Sequence, residues 1–129
     1  MSIGGVGKVA IGVRDQQRAL SFWVDVVGCQ VAIDAPYGES GERWLEVTTP
    51  DGQTRLVLSL DPDGEHTQDA PEGLPTSEVF FYAEDLRATY EVLTARGVRF
   101  PTPPQEHPWG WWSLFEDTEG NRFALQQRG

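Results

Sequence analysis

Cysteine and lysine each occur once in the 129 residues, and each scarcity closes a class of chemistry. A lone Cys29 cannot form an internal disulfide, and its place just beyond Gly28 suits a small buried apolar residue. With Lys8 as the single lysine and a net charge of -10, from 20 acidic and 10 basic residues, the chain lacks the clustered basic surface that nucleic-acid phosphates need. The acid excess tolerates a cationic ligand better than an anionic one. No run approaches the about 18 apolar residues of a membrane helix. The N-terminal MSIGGVGK also lacks a basic region followed by a long apolar core, so a cytoplasmic protein is expected, with no membrane partner. No Gly-rich phosphate loop precedes a helix, since GGVG at Gly4 leads into a strand, and no elbow motif presents a nucleophilic serine.

What is present is a repeat. KVAIGVRDQQRALSFWVDVVGCQV, from Lys8, is echoed by EVFFYAEDLRATYEVLTARGVRF, from Glu78. In each copy an apolar run ends in an Asp (Asp15, Asp85), an amphipathic stretch carrying Arg-Ala follows, and a Gly (Gly28, Gly97) closes it. RWLEVTTPDGQTRLVL from Arg43 likewise resembles WWSLFEDTEGNRFALQ from Trp111, each with an acidic-Gly turn between two strands. At 129 residues the two copies fit one compact domain, by the usual prior of roughly 100 to 200 residues per domain. Repeat 1 covers about residues 6–60, repeat 2 about 78–127, and the Pro-, Gly- and acid-rich stretch 61–77 reads as a linker or lid. A ligand site would lie between the repeats.

Within each copy the pattern is βαβββ, an α+β fold. Strands are expected at Val9 to Val13, Gln30 to Ile33, Arg43 to Thr48 and Thr54 to Leu60, then from Glu78, at Val98 to Phe100, Trp111 to Phe115 and Arg122 to Gln127. Gln16 to Val27 has helical spacing. Asp15 and Asp85 are suited to cap the helices they precede, and Gly28 and Gly97 to end them in the left-handed conformation. Asp34 to Glu42 and the Pro-rich stretch Pro101 to Gly110 read as loops.

The segments VRDQQRALSFWVDVVG and FEDTEGNRFALQQ carry a resemblance to the vicinal oxygen chelate superfamily, which includes glyoxalase I, bleomycin-resistance proteins, fosfomycin-resistance enzymes and extradiol dioxygenases. The resemblance implies two βαβββ modules forming an open eight-stranded barrel-like sheet with helices outside, enclosing a cavity, and a homodimer. Metal-dependent members of this family hold a divalent ion through side chains on four strands. The corresponding positions here are Lys8, Val57, Glu78 and Ala124, of which Glu78 alone offers a suitable lone pair. No metal or other cofactor is therefore expected. A Lys8–Glu78 ion pair is expected in the metal's place, because the two residues are equivalent in the repeats.

Strand alternation extends the candidate surface. If Lys8 and Glu78 face inward, so do Ala10, Gly12, Phe80 and Tyr82, together with Arg55, Val57 and Ser59 in one repeat and Arg122, Ala124 and Gln126 in the other. Trp44, Trp109, Trp111 and Trp112 fall near the mouth and, with Phe80 and Tyr82, favour a planar, aromatic or cationic ligand. The expected ligand-binding set is thus Lys8, Trp44, Arg55, Val57, Glu78, Phe80, Tyr82, Trp109, Trp111, Trp112, Ala124 and Gln126, with no catalytic residue. His66 and His107 lie outside rigid strand positions, and Glu46 reads as a solvated strand position, or as a lone carboxylate base if its strand faces inward. Two functions remain open. One is a binding module that sequesters a partly aromatic molecule such as an antibiotic, as the bleomycin-resistance branch does. The other is a metal-dependent lyase, isomerase or dioxygenase whose ion is held by Glu78, Glu46 and a loop histidine.

Overall fold

The structure, a computed structural model, describes residues 2–62 and 70–128. The chain divides into two compact units, Met1–His66 and Thr67–Gly129. The first contains β1 (Lys8–Val13), α1 (Gln16–Ser21) continuing as a π-helical segment (Phe22–Val27), β2 (Gln30–Pro36), β3 (Arg43–Thr48) and β4 (Arg55–Leu60). The second contains β5 (Phe80–Ala83), α2 (Leu86–Ala95), β6 (Thr102–His107), β7 (Gly110–Glu116) and β8 (Arg122–Gln127). The strands form two four-stranded sheets of identical order, β1-β4-β3-β2 and β5-β8-β7-β6. In each, the first and last strands pair in parallel and the remaining pairs are antiparallel. The duplication read from the sequence is therefore a duplication of topology.

The helix boundaries follow from the expected punctuation. Asp15 accepts from the Arg18 amide and Asp85 from the Ala88 amide, satisfying donors that a helix start leaves orphaned. Gly28 ends the first helix at φ 99°, a conformation that costs a residue with a Cβ but not glycine. The copies differ in one respect: twelve residues separate Asp15 from Gly28, and eleven separate Asp85 from Gly97. The extra residue is absorbed by widening the second half of the first helix into a π-helix, the usual accommodation of a single insertion. The closing bonds record the difference, Cys29 N–H reaching back six residues to the Trp23 carbonyl where Val98 N–H reaches back five to that of Leu93.

Each sheet buries the face that its helix covers. In the first unit this face carries Ile11, Val13, Leu45, Val47, Leu56 and Leu58, with Ala19 and Trp23 supplied from the helical side. Gln16 ties the helix start to the strands, donating to the Arg43 and Leu58 carbonyls and accepting from the Arg43 amide. The corresponding core of the second unit is aromatic, with Phe81, Phe115 and Phe123 in mutual ring contact and Leu86, Leu93 and Leu125 around them. Cys29 is buried, and its burial pushes the thiol up to about 11, so it behaves as the apolar filler expected of it.

Two elements depart from the sequence reading, the first being β2, which runs on to Pro36 into the stretch from Asp34 that reads as a loop. The strand after α2 is not Val98 to Phe100 but Thr102–His107, inside the stretch read as a Pro-rich loop. Two features make this acceptable: β6 is an edge strand, and its register with β7 shifts between Thr102 and Gln105, across Pro103 and Pro104. Proline lacks an N–H, and an edge strand with a bulge is where that loss breaks no ladder bond.

Candidate binding faces

In each unit the face opposite the helix is the one that chemistry can reach. In the first, cross-strand register puts Lys8 beside Arg55, Ala10 beside Val57 and Gly12 beside Ser59, with Val57 opposite Glu46. Lys8, Arg55 and Val57 thus share one face, as alternation requires. Trp44 joins them two residues before Glu46. At the centre of this face Glu46 is 1 % exposed, although alternation places it away from the helix-covered core. Lys8 Nζ and Trp44 Nε1 both donate to its Oε2 at 2.8 Å, and Arg55 donates to Oε1 at 3.0 Å. The covering groups are themselves open, Lys8 being 52 % and Arg55 44 % exposed. Glu46 is therefore not the solvated strand position expected, but a carboxylate roofed by two cations and an indole edge. Lys8, expected to pair with Glu78, is engaged by Glu46 of its own unit. Glu78 is exposed just before β5.

The hydrogen bond from Lys8, then that from Trp44, and with them the Arg55 bond and the Lys8 charge, outweigh burial and hold the Glu46 carboxyl at about 2, below its ordinary value of 4.5. A carboxyl depressed on folding contributes stability that is complete above its unfolded value and is lost as pH falls toward the folded one. Wild type should therefore lose stability between pH 4.5 and about 2 that Glu46→Gln does not, on the order of 1 kcal/mol once solvent screening around the exposed cations is allowed for. Urea midpoints at pH 7 and pH 2.5 check this. The gap between the proteins should be clear at the higher pH and close at the lower.

The second unit's open face is aromatic. Phe80 lies beside Ala124 and Tyr82 beside Gln126, with Trp112 on the far side of Gln126 and Leu114 on the far side of Ala124. The Phe80 ring is 6.0 Å from that of Trp112, and Trp109 meets Trp112 edge-on at 5.8 Å. His107 stacks flat on Trp109 at 4.6 Å, interplanar angle 2°. Phe80 and Trp109 are 55 % and 62 % exposed, over a floor of fully buried Ala124 and Leu114. Tyr82 carries the Arg128 guanidinium over its ring at 4.8 Å and accepts a hydrogen bond from it. Of the expected aromatics, Trp111 is elsewhere: one residue from Trp112 in an extended strand, it points to the helix face, where Arg87 of α2 lies 4.6 Å over its ring. His66 falls outside the described residues.

The Asp-Thr-Glu-Gly-Asn motif is a turn rather than a site. Asp117 accepts from the Glu119 and Asn121 amides and the Asn121 side chain, closing the β7–β8 hairpin. Burial pushes its carboxyl upward against these bonds. Arg122, on the open face by parity, spends its guanidinium on the carbonyls of Ala70, Pro71 and Leu74. It anchors the described end of the linker rather than a ligand.

The four positions that the resemblance assigns to a metal do not fit an ion. Val57 and Ala124 have no donor atom, and Lys8 is an ammonium bonded to Glu46. Glu46 is no substitute, because both of its oxygens are taken by donors, two of them cations that repel a divalent ion. Among the described residues no cluster of three or more His, Cys, Asp or Glu has ligating geometry.

Comparison with known proteins agrees with this architecture. Residues 5–125 match the Glyoxalase/Bleomycin resistance protein/Dioxygenase superfamily. An uncharacterized protein of Bacillus subtilis (strain 168), YetH, is 36 % identical over 122 residues, 95 % of this chain and 97 % of that protein. Among solved structures, a superfamily member from Sphaerobacter thermophilus DSM 20745 superposes with a TM-score of 0.79 at 32 % identity, covering 98 % of each chain. TnmS3, an antibiotic binding protein from Streptomyces sp. CB03234, does so with a TM-score of 0.78 at 32 % identity, covering 100 % of this chain and 99 % of its own. With two βαβββ units and a match over nearly its whole length, the chain belongs to the glyoxalase/bleomycin resistance protein/dioxygenase superfamily.

Proposed function

We propose that the protein binds and sequesters a small, partly aromatic molecule such as an antibiotic, without metal chemistry, acting as a cytoplasmic homodimer. The observation that carries this reading is the aromatic surface of the second unit, where half-buried Trp112 is in ring contact with exposed Phe80 on one side and exposed Trp109 on the other, above a small, apolar floor. Aromatics presented by strands and by the turn that joins them offer large apolar area at little entropic cost, the property that makes such side chains dominate recognition surfaces. The donor-poor equivalents of the metal positions support binding over catalysis, as does the likeness to an antibiotic binding protein.

The test is a thermal-shift screen against antibiotics that include bleomycin and a planar anthraquinone, followed by titration of any hit. A ligand that binds the native state raises the melting temperature by mass action. Trp112→Ala should weaken the hit by about tenfold or more, the loss of one well-placed aromatic contact. The opposite result is a protein, purified without chelator, that holds a stoichiometric divalent ion lost on Glu78→Ala and is shifted by metals alone. That outcome would replace the binder with the metal-dependent enzyme.

A further inference from the structure

The repeat supplies an internal control for the first unit's open face. By register, Trp44 corresponds to Trp112, Arg55 to Arg122, Val57 to Ala124 and Glu46 to Leu114. Both faces thus carry a tryptophan and an arginine at matching places, but the central residue is apolar in one and a carboxylate in the other. In the second unit, with Leu114 at the centre, Arg122 turns away to the 70–74 backbone. In the first, Glu46 holds Arg55 and Lys8 on the face and pins the indole of Trp44 by its N–H.

Three consequences follow from this arrangement. First, the carboxylate is spent: it is almost wholly covered and has a donor on each oxygen, so it does not itself meet a ligand. Second, Lys8, Arg55 and Glu46 are the only ionisable groups among the strand residues of this face, which leaves it with one net positive charge in a chain of net charge -10. Third, both cations keep donors to spare, since an ammonium has three N–H groups and a guanidinium five, and both heads are about half exposed. Beside them Trp44 and Tyr37 form a tilted ring pair with centroids 5.5 Å apart, both partly exposed.

From these observations we infer that the first unit's open face is a subsite for a planar acid: an aromatic ring lies on Trp44 and Tyr37 while its carboxylate, sulfonate or phenolate is met by Lys8 and Arg55. Glu46 is the positioning residue, fixing both cations and the indole so that little side-chain entropy is lost on binding. The local charge thus reverses the expectation set by net charge, because a ligand reads the field of the face and not the sum over the chain. The inference rests on the protein being a small-molecule binder and names the chemistry of what it binds.

Two fluorescent probes share a ring system and differ in charge: 8-anilinonaphthalene-1-sulfonate is anionic, and N-phenyl-1-naphthylamine is its neutral counterpart. Wild type should bind the sulfonate at least about tenfold more tightly, the discrimination that one charge-assisted hydrogen bond supplies. Added salt should weaken the sulfonate and leave the amine unchanged. Lys8→Met and Arg55→Met should each reduce the preference and together erase it without weakening the amine, whereas Trp44→Ala should weaken both probes. Arg99→Met, removing an exposed cation of the second unit, should leave the preference intact. All of these substitutions sit at exposed or half-exposed positions, and a far-ultraviolet spectrum confirms that each variant folds. Equal affinities in wild type, or a preference that survives the double substitution, overturn the acid subsite while the binder reading stands. Binding of neither probe overturns both.

Discussion

Replacing Asp117 by Ala should destabilise the protein by about 2–4 kcal/mol, the cost of leaving several buried donors without their acceptor. The Glu119 amide, the Asn121 amide and the Asn121 side chain all donate to this one carboxylate, and Asp117 and Asn121 are both buried. Asp117→Asn keeps one acceptor oxygen for the two amides but sets an NH₂ against that of Asn121, so its loss should be intermediate. Equilibrium urea unfolding at pH 7 reads both. A lowered midpoint for Asp117→Ala, with the Asn variant between, identifies the motif as the staple of the β7–β8 hairpin. Probe affinities measured well below the unfolding transition should be unchanged in both variants, because the turn bears on neither face's ligand contacts.

The repeat, its caps and its turns were legible because each is a local matter. An Asp before a helical pattern, a Gly after it and an acidic-Gly pair between strands act within a few residues, and all behave as their chemistry dictates. Faces were legible where alternation ran unbroken, which is why the placement of Lys8, Arg55, Val57, Phe80, Tyr82, Ala124 and Gln126 follows from parity alone. Parity also separates Trp111 from Trp112, and grouping the tryptophans by nearness in sequence hid that. Glu46 was missed for a different reason. Its burial depends on three side chains from three strands, and only the register of the β3–β4 hairpin, with Thr48 opposite Arg55, brings them together. The signal was present in counting back from the Asp51-Gly52 turn, which puts Glu46 opposite Val57 and hence next to both cations. The β6 strand shows the limit of composition: its two adjacent prolines suggest a loop, and only position at a sheet edge makes them compatible with a strand.

The largest expected effect separates packing aromatics from recognition aromatics. Phe123 is 1 % exposed between the rings of Phe81 and Phe115, at 5.6 and 5.5 Å, on the face covered by α2. Phe123→Ala should cost about 3–5 kcal/mol, combining lost transfer free energy with a cavity that the rigid strands cannot collapse. Phe80 lies on the adjacent strand but faces the other way and is more than half exposed, so Phe80→Ala should change stability by less than about 0.5 kcal/mol. Binding should show the reverse order. Measured under conditions where both variants are fully folded, Phe123→Ala should leave the affinity of the neutral naphthylamine unchanged, and Phe80→Ala should weaken an aromatic ligand held on the second unit's face. Were Phe80→Ala to unfold the protein as readily as Phe123→Ala does, the exposed aromatics would be core, and the surface on which the binding proposal rests would be gone. Were it to cost neither stability nor affinity, Phe80 would lie outside the site, leaving Trp109 and Trp112 as its aromatic edge. The two substitutions, on neighbouring strands and of the same chemistry, differ only in the direction the strand points them, and that direction is set by a period of two in the sequence.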